Sequence, residues 1–294
     1  MTGEVRQDET VQQAIRNLFL GSVPERAGEL SSLWGQLAFV FQFLPDVHED
    51  GRIIMDAGLF RFVRFNHRVV RSFWIGAFAA WEGSRAVAES KDFPAVDLTR
   101  LQELIAAFEA AIENDQSDET PLPAGVPEPG SLPDKDTDPQ GRAASELSII
   151  AVAWALLHEV RHILHQQEGT GASVYGDTRE ARHHEEFSCD EFATRFILDQ
   201  VQRYSDESGD DPVLVRRKRE MAIYFALFAL TLLAKDSWEA SDTHPSVQHR
   251  IDAVCRLMGD DRDETAQAVV YAAFVSLRTL WPSAPMIVVG ERSA

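Results

Sequence analysis

The sequence predicts a mainly α fold of packed helices with at most a few short strands. Three observations carry this. Apolar residues recur at helical spacing on both sides of the chain's midpoint. The stretch MAIYFALFALTLLA, Met221–Ala234, is apolar over fourteen residues, too short for a comfortable membrane span and right for a buried core helix. Six of the thirteen prolines crowd into one segment, Asn114–Arg142, so that elsewhere few prolines interrupt the pattern.

Taken in order, helices are expected at Glu9–Leu20, Glu29–Leu44 and about Phe65–Ser90. The next runs over Leu98–Glu113, where apolar residues fall at 98, 101, 104, 105 and 108 and Asp97 is placed to cap. GRIIMDAG (51–58) is expected as a short strand or turn. Asn114–Arg142 mixes proline with acids and has almost no large apolar residue, so it cannot offset its ordering entropy by burial. It reads as a mobile tether or a lid, dividing an N-terminal helical region (1–113) from a C-terminal core (143–294). Helices follow at about 144–167, 179–203, 212–235, 245–258 and 262–280. Gly169, Gly171 and Gly176 separate the first two, and MIVV (286–289) is a candidate terminal strand.

The chain has 294 residues and a net charge of −19. That charge argues against nucleic acid or an anionic membrane as the partner, since both demand clustered positive charge. Cys189 and Cys255 are its only cysteines, which points to a reducing compartment rather than a disulfide framework. The N-terminus shows no basic region followed by an apolar stretch, and the expected address is the cytoplasm.

Chemistry concentrates in SIIAVAWALLHEVRHILHQQ. The helix is apolar almost all round from Ile149 to Leu157, hence buried. His158 and His162 stand four apart, so both imidazoles leave one face and can converge on one cation. Glu159 lies beside them, within reach of a water at the metal. This is the H-E-x-x-H zinc-hydrolase arrangement; the other reading is a pair of hydrogen-bonded core histidines.

Zinc needs a third protein ligand. In TREARHHEEFSCDEFATRFIL the buried stripe is Phe192, Ala193, Phe196, Ile197 and Val201, and steps of four extend it back through Asp190 to Glu186. A carboxylate on a buried face is costly unless it is paired or binds a metal. Glu186 is therefore the candidate ligand, and Asp190 the acceptor of a ligand histidine's ring N–H. Glu185, nearer the edge of the stripe, competes for the ligand role. His183 and His184 read as a solvated face and His165 as a neighbour one turn on. Both cysteines read as buried thiols, a metal contact at Cys189 being conceivable. A third element, Ser241-Asp242-Thr243-His244-Pro245, reads on spacing alone as a turn in which Ser241 or Thr243 caps the helix after Pro245.

With these elements in hand, HEVRH, EFSCDEFA and THPSVQHRI resemble the H-E-x-x-H, E-x-x-x-D and H-P-x-x-x-x-R series of gluzincin-type metallopeptidases, including the membrane-embedded HtpX-like and CAAX-processing enzymes. Lacking their spans, the chain is most similar to the soluble Lit-like peptidases associated with phage exclusion. The resemblance covers about Glu146–Leu257. It implies a zincin-like core of packed helices, Zn2+ on His158, His162 and Glu186, catalysis by Glu159, Asp190 behind the ligands, and His244 and Arg250 near the active site, either of which would donate to the developing oxyanion. Arg250 would serve equally as a structural tie to Asp190 or another acid. The proline-rich insert and Cys189 depart from the family pattern. The expected activity is zinc-dependent hydrolysis of peptide bonds, most simply by an endopeptidase, in an intracellular protein during phage defence or stress. The alternative is a non-catalytic helical protein that binds a partner and keeps a structural zinc.

Overall fold

The computed structural model describes residues 9–36, 55–58, 62–65, 67–90, 96–113, 121–173, 176–235 and 237–287. The order is α1 (Glu9–Gly21), a 3-10 turn (Pro24–Arg26), α2 (Ala27–Gln36), β1 (Met55–Gly58), β2 (Phe62–Phe65), α3 (His67–Glu89) and α4 (Thr99–Glu113). The chain continues with α5 (Pro139–Glu168), α6 (Arg179–Leu198), α7 (Val201–Ser208), α8 (Pro212–Leu233), α9 (Val247–Leu257) and α10 (Glu264–Leu280). The fold is mainly α, as the periodicity predicts.

Helix α3 lies at the centre and packs against α4, α5, α8 and α10, while α5 packs against α6 and α8. From Ala222 to Ala229 every residue of α8 is buried, which accounts for its unbroken apolar run. Gly76 of α3 meets Ala229 so closely that a Cβ there would lie 2.8 Å from the Ala229 Cβ. One hydrophobic core takes residues from α1 through α10, on both sides of the proline-rich segment. Helix α5 is the one helix among the described residues long and apolar enough to cross a membrane, and most of its apolar stretch is buried inside the fold.

Several boundaries differ from those expected. Helix α5 begins at Pro139, not near 144, because Asp138 caps it by accepting the Gly141 N–H at 2.8 Å and Pro139 takes the first turn. It ends at Gly169, whose left-handed backbone (φ 70°) closes the last turn. The helix expected over 179–203 breaks into α6 and α7. The Phe196 carbonyl accepts from Arg26 Nη1 at 3.0 Å and the Ile197 carbonyl from Arg219 Nη1 at 2.7 Å. Guanidinium groups from distant elements thus take over helix-end acceptors that a continuing helix would satisfy itself. Helix α9 is capped by Ser246, which accepts the His249 N–H at 3.2 Å, and not by Ser241 or Thr243.

Of the strand or turn expected over 51–58, Met55–Gly58 forms a strand and 51–54 lie outside the described residues. The strand pairs antiparallel with Phe62–Phe65, in the register Met55 to Phe65 and Gly58 to Phe62, and the hairpin lies beside α5. At the other end, Met286 and Ile287 form no strand. The Gln248 side chain bonds both the N–H and the carbonyl of Met286, supplying what a neighbouring strand would. Residues 288–289 of that candidate strand, 37–44 of the second helix and 114–120 of the proline-rich segment lie outside the described residues. Residues 121–138 run along the fold, with Val126 buried and the Pro127 carbonyl accepting from Trp74 Nε1 at 2.8 Å.

Candidate metal centre

The site forms where α5 and α6 pack. His158 and His162 leave α5 one turn apart with their rings edge to face, 4.9 Å between centroids. Their Nε2 atoms face each other at 3.2 Å. From α6, the buried Glu186 brings Oε2 to 3.5 Å from His158 Nε2 and Oε1 to 3.3 Å from His162 Nε2. Glu186 Oε2 is buried with no hydrogen-bond partner.

Behind each imidazole stands a carboxylate. His158 Nδ1 lies 2.9 Å from Asp190 Oδ1, and His162 Nδ1 lies 2.7 Å from Glu185 Oε1. Both acids are held below the usual carboxylate range. Burial pushes each up, but hydrogen bonding and opposite charge outweigh it, chiefly from Arg250 and His158 for Asp190 and from His162 for Glu185. Ionised carboxylates only accept, so each Nδ1 carries a proton, and a metal bound between the rings would take the Nε2 lone pair of each. Glu185 and Glu186, the two competitors in the sequence, thus separate. Glu186 meets the Nε2 side of both rings, whereas Glu185 backs His162 and accepts the Ala172 N–H with its other oxygen.

Three acceptors converging in a buried space repel one another unless a positive charge lies between them. The electrostatics carry the same mark. Burial alone would lower both imidazoles, yet they are raised, His158 by its bonds to Asp190 and Glu186 and His162 by its bonds to Cys189, Glu185 and Glu186. Glu186 is held well below its ordinary value against strong desolvation, because His158, His162 and Arg250 stand against its carboxylate. Two imidazoles and an acid, each ring braced by a second carboxylate, are the donor set that a divalent transition metal takes. The residues fit zinc. Cys189 also enters the site: its sulfur and one nitrogen of each histidine lie within 4.8 Å of one another, and burial pushes its thiol up to about 12.

Glu159 is buried next to His158, close enough that its charge helps raise His162. Arg250, on α9, is buried and donates from Nε to Asp190 Oδ2 at 2.9 Å and from Nη2 to Asp190 Oδ1 at 2.7 Å. Its Nη1 lies 3.5 Å from Glu186 Oε2. His244 reaches the opposite side of Glu186, with Nε2 3.6 Å from Oε1 and a ring 60% exposed, so it stands at the mouth of the site. Its loop is pinned to the start of α6. Arg182 Nε donates to the Asp242 carbonyl at 2.8 Å and His183 Nε2 to the Ser241 carbonyl at 2.9 Å. His183 therefore ties the loop, while His184 is exposed. His165 stays out of the site, bonded to Thr170 Oγ1 at 2.7 Å and Ser188 Oγ at 3.0 Å.

The structure thus gathers His158, Glu159, His162, Glu186, Asp190, His244 and Arg250 around one point. Sequence reasoning missed the bracing role of Glu185, whose signal was its place beside Glu186 at the edge of the stripe. The family profile described as Peptidase U49 matches residues 63–271, from β2 into α10 and well beyond the motif-bearing core. No curated protein and no solved structure matches the chain.

Proposed function

The chain belongs to the Peptidase U49 family, and from that premise we propose that it is a zinc-dependent endopeptidase of the H-E-x-x-H type. The observation that carries the zinc reading is the convergence of His158 Nε2, His162 Nε2 and the otherwise unbonded Glu186 Oε2, with Asp190 and Glu185 holding the far side of each ring. His158, His162 and Glu186 would hold the ion. When bound, zinc supplies a lowered water pKa, near ~7, and polarisation of the scissile carbonyl.

The chain's own residues do the rest. Glu159, buried beside the ligands, takes the proton of the attacking water and returns it to the leaving amine. Thr243 Oγ1 lies 2.8 Å from His244 Nδ1; with the hydroxyl donating there, His244 Nε2 carries a proton and lies on the Glu186 side of the ring. It is the group suited to meet the substrate carbonyl oxygen as charge develops. Arg250 spends its Nε and Nη2 on Asp190 and acts as a positioning residue. We place the substrate among intracellular proteins, in keeping with two free, buried cysteines, and the role in phage defence or a related stress.

The test is direct. Glu159→Gln is expected to retain one zinc per chain and lose hydrolysis, whereas Glu186→Ala is expected to lose zinc. A Glu159→Gln enzyme that cleaves like the wild type refutes the mechanism. Comparing the proteomes of cells that express wild type and Glu159→Gln tests the biology: one cleaved protein supports the defence role, and many cleaved proteins point to general turnover.

A further inference from the structure

Cys189 stands three residues after Glu186 and one before Asp190, so the three share a face of α6. Its side chain is fully buried. Its sulfur and a nitrogen from each of His158 and His162 lie within 4.8 Å of one another, the one such group among the described residues. The other cysteine, Cys255, is also buried but sits on α9 against Tyr224 and Arg262. Independently, Glu186 Oε2 is buried, unbonded and 3.5 Å from His158 Nε2, which marks the same point as one that takes a ligand. Two nitrogens and a sulfur from two helices therefore converge, with the Glu186 carboxylate against the same two imidazoles, and thiolate is among the strongest protein donors for zinc.

Resting on the metal reading above, we infer that Cys189 is a fourth protein donor to the ion, its thiolate closing the set formed by His158, His162 and Glu186. On binding, the S–H proton leaves to solvent and the sulfur lone pair goes to the metal. Four protein donors make a closed site, whereas three donors and a water make a hydrolytic one. The resting protein is therefore held closed, and the thiolate must withdraw before water takes its place.

Cobalt(II) reads this out without any substrate. Thiolate bonded to cobalt gives a near-ultraviolet sulfur-to-metal charge-transfer band that imidazole and carboxylate do not give. The full chain, stripped of metal and loaded with cobalt(II), is expected to show the band. Cys189→Ser and Cys189→Ala are expected to lose it while still binding one cobalt per chain, and Cys255→Ser to keep it. If the Cys189 variants fail to fold, the wild-type and Cys255→Ser spectra decide alone. One bound cobalt with visible d–d bands but no charge-transfer band overturns the inference and leaves the metal centre standing; no bound cobalt overturns both. Acetohydroxamate, which occupies a metal's open position, is expected to abolish the band as it binds the wild-type protein. Persistence of the band on saturation overturns closure.

Discussion

Arg250 grips Asp190 with two hydrogen bonds, 2.9 Å from Nε to Oδ2 and 2.7 Å from Nη2 to Oδ1, and the same Oδ1 lies 2.9 Å from His158 Nδ1. A cation from α9 thereby fixes an anion on α6 that orients an imidazole on α5. All three side chains are buried, so removing the guanidinium leaves an uncompensated carboxylate. Breaking a buried pair in this way costs about 3–5 kcal/mol. Arg250→Met is expected to lower the melting temperature and to weaken zinc binding by about 10–100-fold, the usual consequence of losing a partner behind a ligand. Arg250→Lys should fall between, since a point charge cannot reproduce the two-pronged contact. Chelator competition and thermal melting measure both effects; unchanged zinc affinity in Arg250→Met would remove Asp190 from the support of His158.

Glu185 and Glu186 are adjacent acids with different geometry, and their variants should differ in kind. Glu185 lies 2.7 Å from His162 Nδ1 and braces the ring from behind. Glu185→Ala is expected to lower zinc affinity by about 10–100-fold, with hydrolysis restored at saturating zinc. Glu186→Ala removes a proposed ligand and should not recover with added metal. Identical zinc-rescue curves for the two variants would contradict this division.

What was legible in the sequence was what repeats locally. The two histidines one turn apart and the acid stripe of the next helix are functions of spacing alone, and α5 and α6 bring them together. The helices followed from periodicity for the same reason. What was hidden depends on distant partners. The break after Leu198 is set by Arg26 and Arg219 reaching helix-end carbonyls, and no glycine or proline marks it. The bracing by Glu185 depends on the turn of one ring. The early start of α5 was written in Asp138-Pro139 but masked by the polar composition of the preceding segment. His244 and Arg250 lie far from the motif in sequence, and only the resemblance pointed to them.

The electrostatics set a pH dependence for the metal-free protein. His158 and His162 have folded-state pKa values raised above the ordinary 6.5. Their stabilisation is complete below that value and is lost as pH rises through the raised folded values. Asp190 and Glu186 are lowered from 3.8 and 4.5, so their contribution is present above those values and lost as pH falls through the depressed ones. Without metal, stability should therefore peak in the mildly acidic window between the two pairs and decline toward alkaline pH. At the proposed centre zinc would replace the protons on the Nε2 side, so its stabilising effect should grow as pH rises. Melting curves from pH 5 to pH 9, with chelator and with zinc, test this; a zinc-induced shift that shrinks with rising pH would be the wrong sign.

The crossing of α3 and α8 supports α5 from behind and tolerates nothing larger than glycine at position 76. A Cβ at Gly76 would stand 2.8 Å from Ala229 Cβ and 3.1 Å from Ala229 Cα, and neither atom belongs to a flexible side chain that could swing away. Alanine gains about 1 kcal/mol of helix propensity over glycine. Overpacking in a well-filled core costs about 1–3 kcal/mol, and contact with backbone puts this site toward the upper end. Gly76→Ala is therefore expected to destabilise the fold, lowering the melting temperature by a few degrees, while zinc stoichiometry stays at one per folded chain. Ala229→Gly alone should also destabilise, through lost packing and lost propensity. Combined with Gly76→Ala it removes the Cβ–Cβ clash, so the double variant should be more stable than the two single effects added together. Strict additivity would mean that the helices separate freely and that the close approach does not constrain the core.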